Sequence, residues 1–376
     1  MGIFWAMIGY PAFLQILAKL VRKKNKKDYS FEPTVTLMVV AHNEEKVMPD
    51  KLKNIVCLDY PKDKIKYLIA SDNSTDKTND IVEAFIKKNR QYNIRIHKTK
   101  EHLGKTNAQN EAQKLVDTEI LVMTDANAML EKNAIKEIVS SFSSPDIVYV
   151  SGKLVYGNVY ATESSSNEGA YWNIDLMMRE VESNIQTITA GNGALYACRN
   201  SEYHDFEPIE CHDAAMPLYY GLQGKRAVFN KDAIAVEKAG ETNEDEFKRK
   251  VRMSRTILHA MMPTVKVFNV FKYKWFSVFY FGHRTCRYSL WLFHIIALVA
   301  NIFVAFLDDK LTYKITLGGQ VLFWMAALTR NKKNKKYRVV SMCRYYGITV
   351  FAQAVGAWRI IMGKSKPTWE KAESTR

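Results

Sequence analysis

The chain has 376 residues, of which 47% are hydrophobic, so it has room for one full-sized domain with a substantial core and for further segments. Its formal net charge of +15 suits an anionic partner, such as nucleic acid, an anionic membrane surface or a phosphate-bearing ligand. Basic clusters beside apolar stretches are typical of membrane flanks, no nucleic-acid motif accompanies them, and the five cysteines have neither disulfide-framework nor zinc spacing.

The chain opens on an apolar segment that a basic cluster follows. Residues 1–21 are apolar apart from Gln15 and Lys19, and five lysines and arginines lie within residues 22–27. A signal peptide has the opposite order, with its charges before the apolar run and a small-residue cleavage site after it. The order therefore predicts an N-terminal membrane anchor over residues 1–30, although its apolar run is of borderline length for a span.

Strands and helices alternate in the segment after this anchor. Apolar and β-branched runs predict strands over residues 35–41, 66–70, 94–98 and 119–124. Helical spacing predicts helices over residues 44–57, 77–88, 106–116 and 131–142. Strands that are separated by helices are typical of an α/β fold with a parallel sheet.

Polar side chains follow three of these strands where each strand ends. They are His42, Asn43 and Glu44, then Asp72, and then Asp125 and Asn127. Ligands of parallel α/β sheets bind at the carboxyl ends of strands, and neither GxGxxG nor a GxxxxGK[ST] phosphate loop is present. Several carboxylates beside the basic segment Gly104-Lys105 suit a nucleoside diphosphate with a divalent ion.

The turn after the second strand holds two aspartates with different expected roles. Asp72 ends the strand and is aimed at the ligand edge of the sheet. Asp76 lies at the start of the next helix, where a carboxylate satisfies free N–H groups. We therefore expect Asp72 to contact a ligand and Asp76 to cap the helix.

The C-terminal third of the chain is predicted to lie at or in a membrane. Residues 261–288 are rich in aromatic side chains and lysine, which is typical of interfacial amphipathic helices. Residues 289–376 form the expected C-terminal transmembrane region, with apolar runs at 289–307, 315–328 and 345–362. With the N-terminal segment these make four runs, and the charge bias predicts that one of them, the first or the last, lies in the interface.

A series of short motifs over residues 33–260 resembles a membrane-bound family 2 glycosyltransferase of the cell-surface polysaccharide type. In chain order they are PTVTLMVVAHNEE, LDYPKDKIKYLIASDNSTDKT, GKTNAQNEA, VMTDANAML, ITAGNGALYACR, CHDAAMPLYYGLQGKRAVFNKDAIAVE and EFKRKVRMSRT. The resemblance implies a two-lobed nucleotide-sugar (GT-A type) domain over residues 31–260, with a mixed, mostly parallel sheet. It also implies a multi-pass protein of the cell membrane whose catalytic domain is cytoplasmic. Its partners would be a UDP-sugar, a lipid-linked or glycan acceptor and membrane lipids rather than nucleic acid.

The same resemblance assigns residues to the donor side of the site. Asp72 corresponds to the carboxylate that faces the uridine of a UDP-sugar, and Glu44 to an acidic residue near the base. Lys105 belongs to the segment that lines the diphosphate groove. Asp125 matches the first residue of the metal-binding DxD motif, which implies Mg²⁺ or Mn²⁺, and Asn127 stands in place of the second aspartate.

On the acceptor side, the resemblance implies base catalysis by an aspartate. Asp213 matches the second residue of the family's acidic pair, the general base that takes the proton of the acceptor hydroxyl in one inverting displacement. His212 stands where the family has a second acid. The acceptor-side glycine motif falls on Gly191, Asn192 and Gly193.

Basic residues near the end of the domain complete the implied site. Arg249 and Arg252 lie where processive members carry QxxRW, Arg255 follows them, and such arginines would neutralise a leaving diphosphate. Met253 replaces the tryptophan of that motif, which favours transfer of one sugar or a few to a lipid-linked or glycan acceptor. A processive synthase that secretes its polymer, and an inactive binding protein of the same fold, remain alternatives.

Overall fold

One mixed sheet forms the centre of the protein. The computed structural model describes residues 1–21, 23–158, 163–240, 242–328 and 338–368. Within these residues the sheet has eight strands in the order β3-β2-β1-β4-β7-β6-β8-β5. The strands are β1 Val35–Ala41, β2 Ile65–Ser71, β3 Ile94–Lys98, β4 Ile120–Asp125, β5 Met129–Leu130, β6 Ile147–Tyr156, β7 Tyr196–Arg199 and β8 Arg226–Glu237.

Helices flank the sheet and continue beyond it. Those that lie before β7 are α1 Gly2–Phe4, α2 Tyr10–Val21, α3 Met48–Val56, α4 Thr78–Lys88, α5 Lys105–Gln113, α6 Ala134–Ser140 and α7 Glu163–Ile185. Those that follow β7 are α8 His212–Leu222, α9 Asn243–Met253, α10 Ile257–Met261, α11 Val270–Tyr273, α12 Trp275–Phe279, α13 Leu290–Leu307, α14 Leu311–Leu328 and α15 Arg338–Ile361. Two π-helical turns, Trp5–Gly9 and Tyr280–Cys286, extend α1 into α2 and continue α12.

The parallel half of the sheet brings the predicted polar turns together. All seven residues of β1 are buried, because the strand has sheet neighbours on both sides and helices over both faces. Parallel pairing sets Ala41 opposite Ser71 and Val40 opposite Asp125. The carboxyl ends of β1, β2 and β4 therefore lie side by side, and the residues that follow them share one edge.

The other half of the sheet makes it mixed. β7 pairs antiparallel with both β4 and β6, whereas β6 and β8 run parallel with two shifts of register. The sequence predicts the first four strands to within about one residue but does not predict the strands after residue 125. Helix α3 begins at Met48 rather than at the expected residue 44, with Pro49 in its first turn, where proline is well tolerated.

The N-terminal helix is tied to α7, the long helix that follows β6. Tyr10 donates its hydroxyl proton to Glu182 Oε1 at 2.7 Å, and His283 bridges Glu182 at 2.8 Å and Asp175 at 2.9 Å. These groups are buried, so a network of paired charges joins α2, α7 and the π-helical turn after α12. The N-terminal segment is therefore packed against the protein on one face.

Two of the described helices are long and apolar enough to cross a membrane. They are Gly2–Val21 and Leu290–Leu307, and Leu290 is the one buried residue of the second. The expected run at 315–328 falls within α14, and that at 345–362 ends one residue beyond α15; both helices are less apolar. Residues 329–337 and 369–376 of the expected C-terminal region lie outside the described residues.

Helix α15 also packs on α9, the helix that carries Arg249 and Arg252. Lys250 donates from Nζ to the Tyr345 hydroxyl at 2.9 Å, and the rings of Phe247 and Phe351 stack with their centroids 5.9 Å apart. Gly356 lies so close to Ser254 that a Cβ at this position would overlap the serine side chain. The C-terminal helix is thus part of the support of the arginine helix.

Candidate active site

The structure brings Lys105, Asp125 and Asp213 to one corner of the sheet edge. Lys105 begins α5 and forms an ion pair with Asp125, the last residue of β4. Burial works against the charge of Lys105, but the carboxylates of Asp125 and Asp213 outweigh it and raise the pKa of this lysine. A cation is therefore held between the predicted metal ligand and the predicted base.

The loop 191–193 fits between these groups because two of its residues are glycines. A Cβ on Gly193 would lie 2.9 Å from Lys105 Nζ and 3.0 Å from Asp125 Oδ2, and a Cβ on Gly191 would overlap the Tyr149 hydroxyl. The N–H of Gly191 donates to the carbonyl of Asp213 at 2.7 Å. The glycines thus allow the backbone to approach both carboxylate residues closely.

Asn192, expected on the acceptor side, has a structural role in this loop. Its amide nitrogen donates to the carbonyl of Gly152 at 2.6 Å, and its oxygen accepts from the N–H of Ala194 at 3.2 Å. Only 5% of the residue is exposed. The side chain therefore fixes the loop from inside, and the two glycines beside it face the site.

Asp213 lies in the first turn of α8, where a negative charge is favourable at a helix N-terminus. Among the described residues, no group donates a hydrogen bond to its carboxylate, while its carbonyl accepts from Gly191 and from the Tyr149 hydroxyl. The backbone is thus held in place and the carboxylate is left for another partner. This is the arrangement that a general base requires.

His212, next to this aspartate, is a neutral core histidine. Only 1% of it is exposed, and its two ring nitrogens bond to Gln109 at 3.1 Å and to the Tyr203 hydroxyl at 2.8 Å. Burial, and then the charge of Lys105, lowers the pKa of His212 to about 3. Its ring therefore positions the start of α8 and brings no charge to the site.

The three arginines occupy different environments. Burial, and then the charge of Arg249, lowers the pKa of Arg252 to about 10, with Asp125 and Cys211 close enough to oppose the shift. Arg252 therefore stays a cation at neutral pH and lies near the predicted metal ligand. Arg249 forms a two-pronged ion pair with the buried Glu246, with contacts of 2.9 and 3.0 Å.

Arg255 acts as a clamp on two segments of backbone. It donates to the carbonyls of Ile209 at 2.8 Å and Glu210 at 3.0 Å, just before α8, and to that of Pro367 at 3.0 Å. A Cβ on Gly104 would lie 2.9 Å from the same Pro367 carbonyl. The last described residues of the chain therefore reach back to the edge of the site.

At the other end of the edge, Asp72 anchors the loop that leads to Lys105. The residue is 1% exposed, and its carboxylate accepts from the N–H groups of Leu103 at 3.2 Å and Gly104 at 2.9 Å and from His102 Nδ1 at 2.8 Å. Glu44 is also buried nearby, and its N–H donates to the Thr78 hydroxyl at 2.7 Å.

The sequence motifs gave no signal for His102. Its ring stacks on that of His42 with the centroids 3.7 Å apart and the planes within 11°. The pair forms a flat aromatic surface next to Asp72, at the position where the resemblance expects a nucleotide base. The one sequence signal for a role of His102 in the site is that it lies two residues before Gly104.

Two groups of residues at this edge bear on a divalent cation. Asp125 and Asn127 are partly exposed and alternate with the buried Ala126 and Ala128 in the turn that follows β4. A carboxylate and an amide oxygen are the ligands that Mg²⁺ and Mn²⁺ accept beside phosphate oxygens, so this pair fits the ion.

The second group, His42, Asp72 and His102, fits a cation poorly. Their ligand atoms lie within 4.8 Å of one another. However, the ring lone pairs of two stacked imidazoles lie in parallel planes and do not converge on one ion. The Asp72 carboxylate already accepts three hydrogen bonds. By their chemistry, Asp125 and Asn127 at the end of β4 are therefore the better candidate ligands for a divalent cation.

Comparison with known proteins identifies the domain. Residues 36–197 match the model of glycosyl transferase family 2. A beta-monoglucosyldiacylglycerol synthase from Synechocystis is 28% identical over 163 residues, which cover 43% of this chain and 33% of the relative. A probable glycosyltransferase, YdaM, from Bacillus subtilis is 30% identical over 147 residues, which cover 37% of this chain and 35% of the relative. The matches thus span about a third of the length of these relatives.

A solved structure shares the fold over nearly the whole chain. It is a mannosyltransferase from Pyrobaculum calidifontis in complex with GDP-Man and Mn²⁺, with a TM-score of 0.73 and 19% identity, covering 96% of this chain and 98% of that one. The family match contains Asp72, Lys105, Asp125 and Gly193, whereas Asp213 lies beyond it. The architecture is the GT-A glycosyltransferase fold, and residues 36–197 of the chain match glycosyl transferase family 2.

Proposed function

We propose that the protein is an inverting glycosyltransferase that moves a sugar from a UDP-sugar to a lipid-linked or glycan acceptor at the cytoplasmic face of the membrane, in cell-surface polysaccharide biosynthesis. The observation that carries the proposal is the convergence of Lys105, Asp125, Asp213 and Arg252 at the carboxyl edge of the sheet. It places cations and a carboxylate with no donor among the described residues in one corner. Sugar transfer from a nucleoside-diphosphate sugar needs cations for the leaving diphosphate and a carboxylate for the acceptor proton.

The donor binds along the edge from Asp72 to Asp125 in this proposal. The nucleotide base lies near Asp72 and the stacked histidines, and the diphosphate meets Lys105 and Arg252. A divalent cation, when bound by Asp125 and Asn127, supplies positive charge to the leaving diphosphate. The structural relative that binds GDP-Man and Mn²⁺ agrees with a nucleotide sugar and a metal ion as ligands of this fold.

The chemical step needs one carboxylate. Asp213 takes the proton of the acceptor hydroxyl, whose oxygen attacks the anomeric carbon on the face opposite the leaving UDP. Lys105 and Arg252 neutralise the charge that develops on the diphosphate. A single displacement inverts the anomeric centre, so no covalent enzyme intermediate is formed.

The membrane location rests on the exposed apolar elements. In helix α13 Leu290 is the one buried residue, and Val265 and Phe271 in the segment before it are 76% and 95% exposed. Lysines 266, 272 and 274 flank these side chains, which suits an interface with lipid head groups. The proposed divisions are an anchor at 1–30, a catalytic domain at 31–260, interfacial helices at 261–288 and a C-terminal membrane region at 289–376.

The test is a donor and acceptor screen with the whole protein in nanodiscs. Each of several UDP-sugars, with GDP-mannose as the alternative donor, is incubated with lipid acceptors, and release of nucleoside diphosphate and product length are measured. We expect one UDP-sugar to react and the product to carry one sugar or a few. A long polymer would support the alternative of a processive synthase. The similarity to a poly-beta-1,6-N-acetyl-D-glucosamine synthase of Staphylococcus epidermidis is the reason to measure product length. If no pair of donor and acceptor gave turnover, the result would support the alternative of an inactive binding protein with the same fold.

The two aspartates after β2 should separate donor binding from stability. Asp76 accepts from the N–H of Thr78, the first residue of α4, at 2.9 Å and from that of Glu45 at 3.1 Å. We expect Asp76→Ala to cost about 1 kcal/mol of stability, the usual value for a helix cap, and to keep UDP affinity. Calorimetric titration of UDP beside thermal melts measures both quantities.

Asp72→Ala should lower both the stability of the protein and its affinity for UDP. The sequence alone predicts weaker UDP binding with little change in melting temperature, but the structure changes the second expectation. Removing the carboxylate leaves the buried N–H of Gly104 and the partly buried N–H of Leu103 unsatisfied, which costs about 1–3 kcal/mol. If Asp76→Ala lost UDP as severely as Asp72→Ala, the division of roles between the two aspartates would be wrong.

A further inference from the structure

A fully buried lysine lies directly behind the turn that carries the proposed metal ligands. Lys51, on α3, has no exposed surface. Its Nζ donates to the Thr124 hydroxyl at 3.1 Å and to the carbonyl of Ala128. These two partners stand immediately before and after the segment Asp125–Asn127. One ammonium group therefore ties together the two ends of the turn.

A second polar side chain of α3 continues this attachment. Asn54 lies three residues after Lys51 and so projects from the same face of the helix. Its amide donates to the carbonyl of Leu130 at 2.8 Å and accepts from the N–H of Leu130 at 2.9 Å. Helix α3 is thus hydrogen-bonded to the segment from the end of β4 to β5 at three points, Thr124, Ala128 and Leu130.

Helix packing alone does not require an amine at this position. An ammonium group loses its hydration when it is buried, whereas an apolar side chain of similar length would fill the space without that loss. Burial is the main cause that lowers the pKa of Lys51 to about 7, against the opposing charges of Asp125 and Glu237. What the amine adds is the pair of hydrogen bonds to the turn.

We propose that Lys51 is a positioning residue that holds Asp125 and Asn127 in the geometry that binds the divalent cation. It touches neither the donor nor the acceptor and acts through the backbone and the Thr124 hydroxyl. The inference rests on the proposed metal-dependent function. Groups that orient metal ligands from behind typically change metal affinity by about 10–100-fold when they are replaced.

The direction in which metal affinity changes on replacing Lys51 distinguishes a positioning role from a purely electrostatic one. A lysine near a cation site repels the cation, so removing the charge alone would tighten metal binding. Removing a clamp from the ligand turn would weaken metal binding, because the ligands must then be ordered when the ion arrives. Lys51→Met keeps the length and apolar stem of the side chain and removes both the charge and the two hydrogen bonds.

The experiment is a titration of the whole protein with Mn²⁺ alone, followed by electron paramagnetic resonance of the free ion. We expect Lys51→Met to raise the Mn²⁺ dissociation constant by about 10-fold or more. Leu52→Ala is the matched control, since Leu52 is the adjacent residue on α3 and is also fully buried. It should lower the melting temperature and leave the Mn²⁺ constant within about twofold, because it makes no polar contact with the turn.

Each outcome decides the question. Unchanged or tighter Mn²⁺ binding by Lys51→Met overturns the inference, and so does equal weakening by Leu52→Ala, which would make the effect one of general stability. If Lys51→Met does not fold, Lys51→Leu, which likewise removes the charge and both hydrogen bonds, is measured by the same criteria. If the unaltered protein binds no Mn²⁺, the metal part of the proposed function fails and this inference with it.

Discussion

Asp213→Asn is expected to lower the rate of sugar transfer by at least about 10²-fold, the usual contribution of a general base. Asparagine has the same shape as aspartate but does not accept the proton of the acceptor hydroxyl. The backbone contacts of Asp213, from the N–H of Gly191 and the hydroxyl of Tyr149, do not involve the side chain and remain in the variant. Donor binding and melting temperature should therefore be kept. Turnover, UDP titration and a thermal melt measure the three quantities.

The matched control is Asp205→Asn, the same change at an exposed position in the loop before α8. It removes one negative charge at a similar place in the chain and should leave turnover unchanged. If Asp213→Asn transferred sugar at close to the normal rate, the assignment of the base would be wrong. If it lost UDP binding as well, Asp213 would serve the donor rather than the acceptor.

Asp125→Ala should abolish metal-dependent transfer, with a loss of about 10²–10³-fold, comparable to removing one electrostatic contact from a transition state. The change removes the carboxylate that pairs with Lys105 and that is the proposed ligand of the cation. The remaining activity should no longer respond to Mg²⁺ or Mn²⁺. Turnover is measured after chelation and again with each metal restored.

Asn127→Asp provides the companion variant at the same turn. Aspartate is the commoner ligand at this position and has the same size, so the variant should keep activity and need no more metal than the original protein. Full activity of the unaltered protein in excess chelator would remove the metal from the mechanism. Lys105 and Arg252 would then be the cations that face the diphosphate.

The sequence predicts β1 to β4, half of the eight strands that the structure describes, because these strands are short runs rich in apolar and β-branched residues. β1 reads VTLMVVA, in which six of seven residues are apolar, and all seven, Thr36 included, are buried. β7 has four residues, too few for a periodicity, and β8 is interrupted by Asn230, Lys231 and Asp232 where its pairing with β6 shifts register. Such strands are defined by their neighbours in the sheet, which a local pattern does not contain.

The candidate site divides in a similar way. Asp72, Asp125 and Asp213 follow recognisable motifs at the ends of strands or the start of a helix, and the structure places them along one edge. Lys51 has no such signal, since a lysine within Lys51-Leu52-Lys53 of an amphipathic helix reads as a solvated side chain. Only the packing of α3 against the end of β4 shows that this lysine is buried.

The contact between α15 and α9 has a practical consequence for handling the protein. A shortened chain that ended near residue 260 would contain every residue of the proposed site. It would also expose Val251 and Ser254, which are 5% and 4% exposed in the whole protein, and leave Lys250 without Tyr345. Trimming the apolar tail to obtain a water-soluble enzyme would therefore loosen the helix that presents Arg252, and detergent-solubilised whole protein is the appropriate material for kinetics and crystallisation.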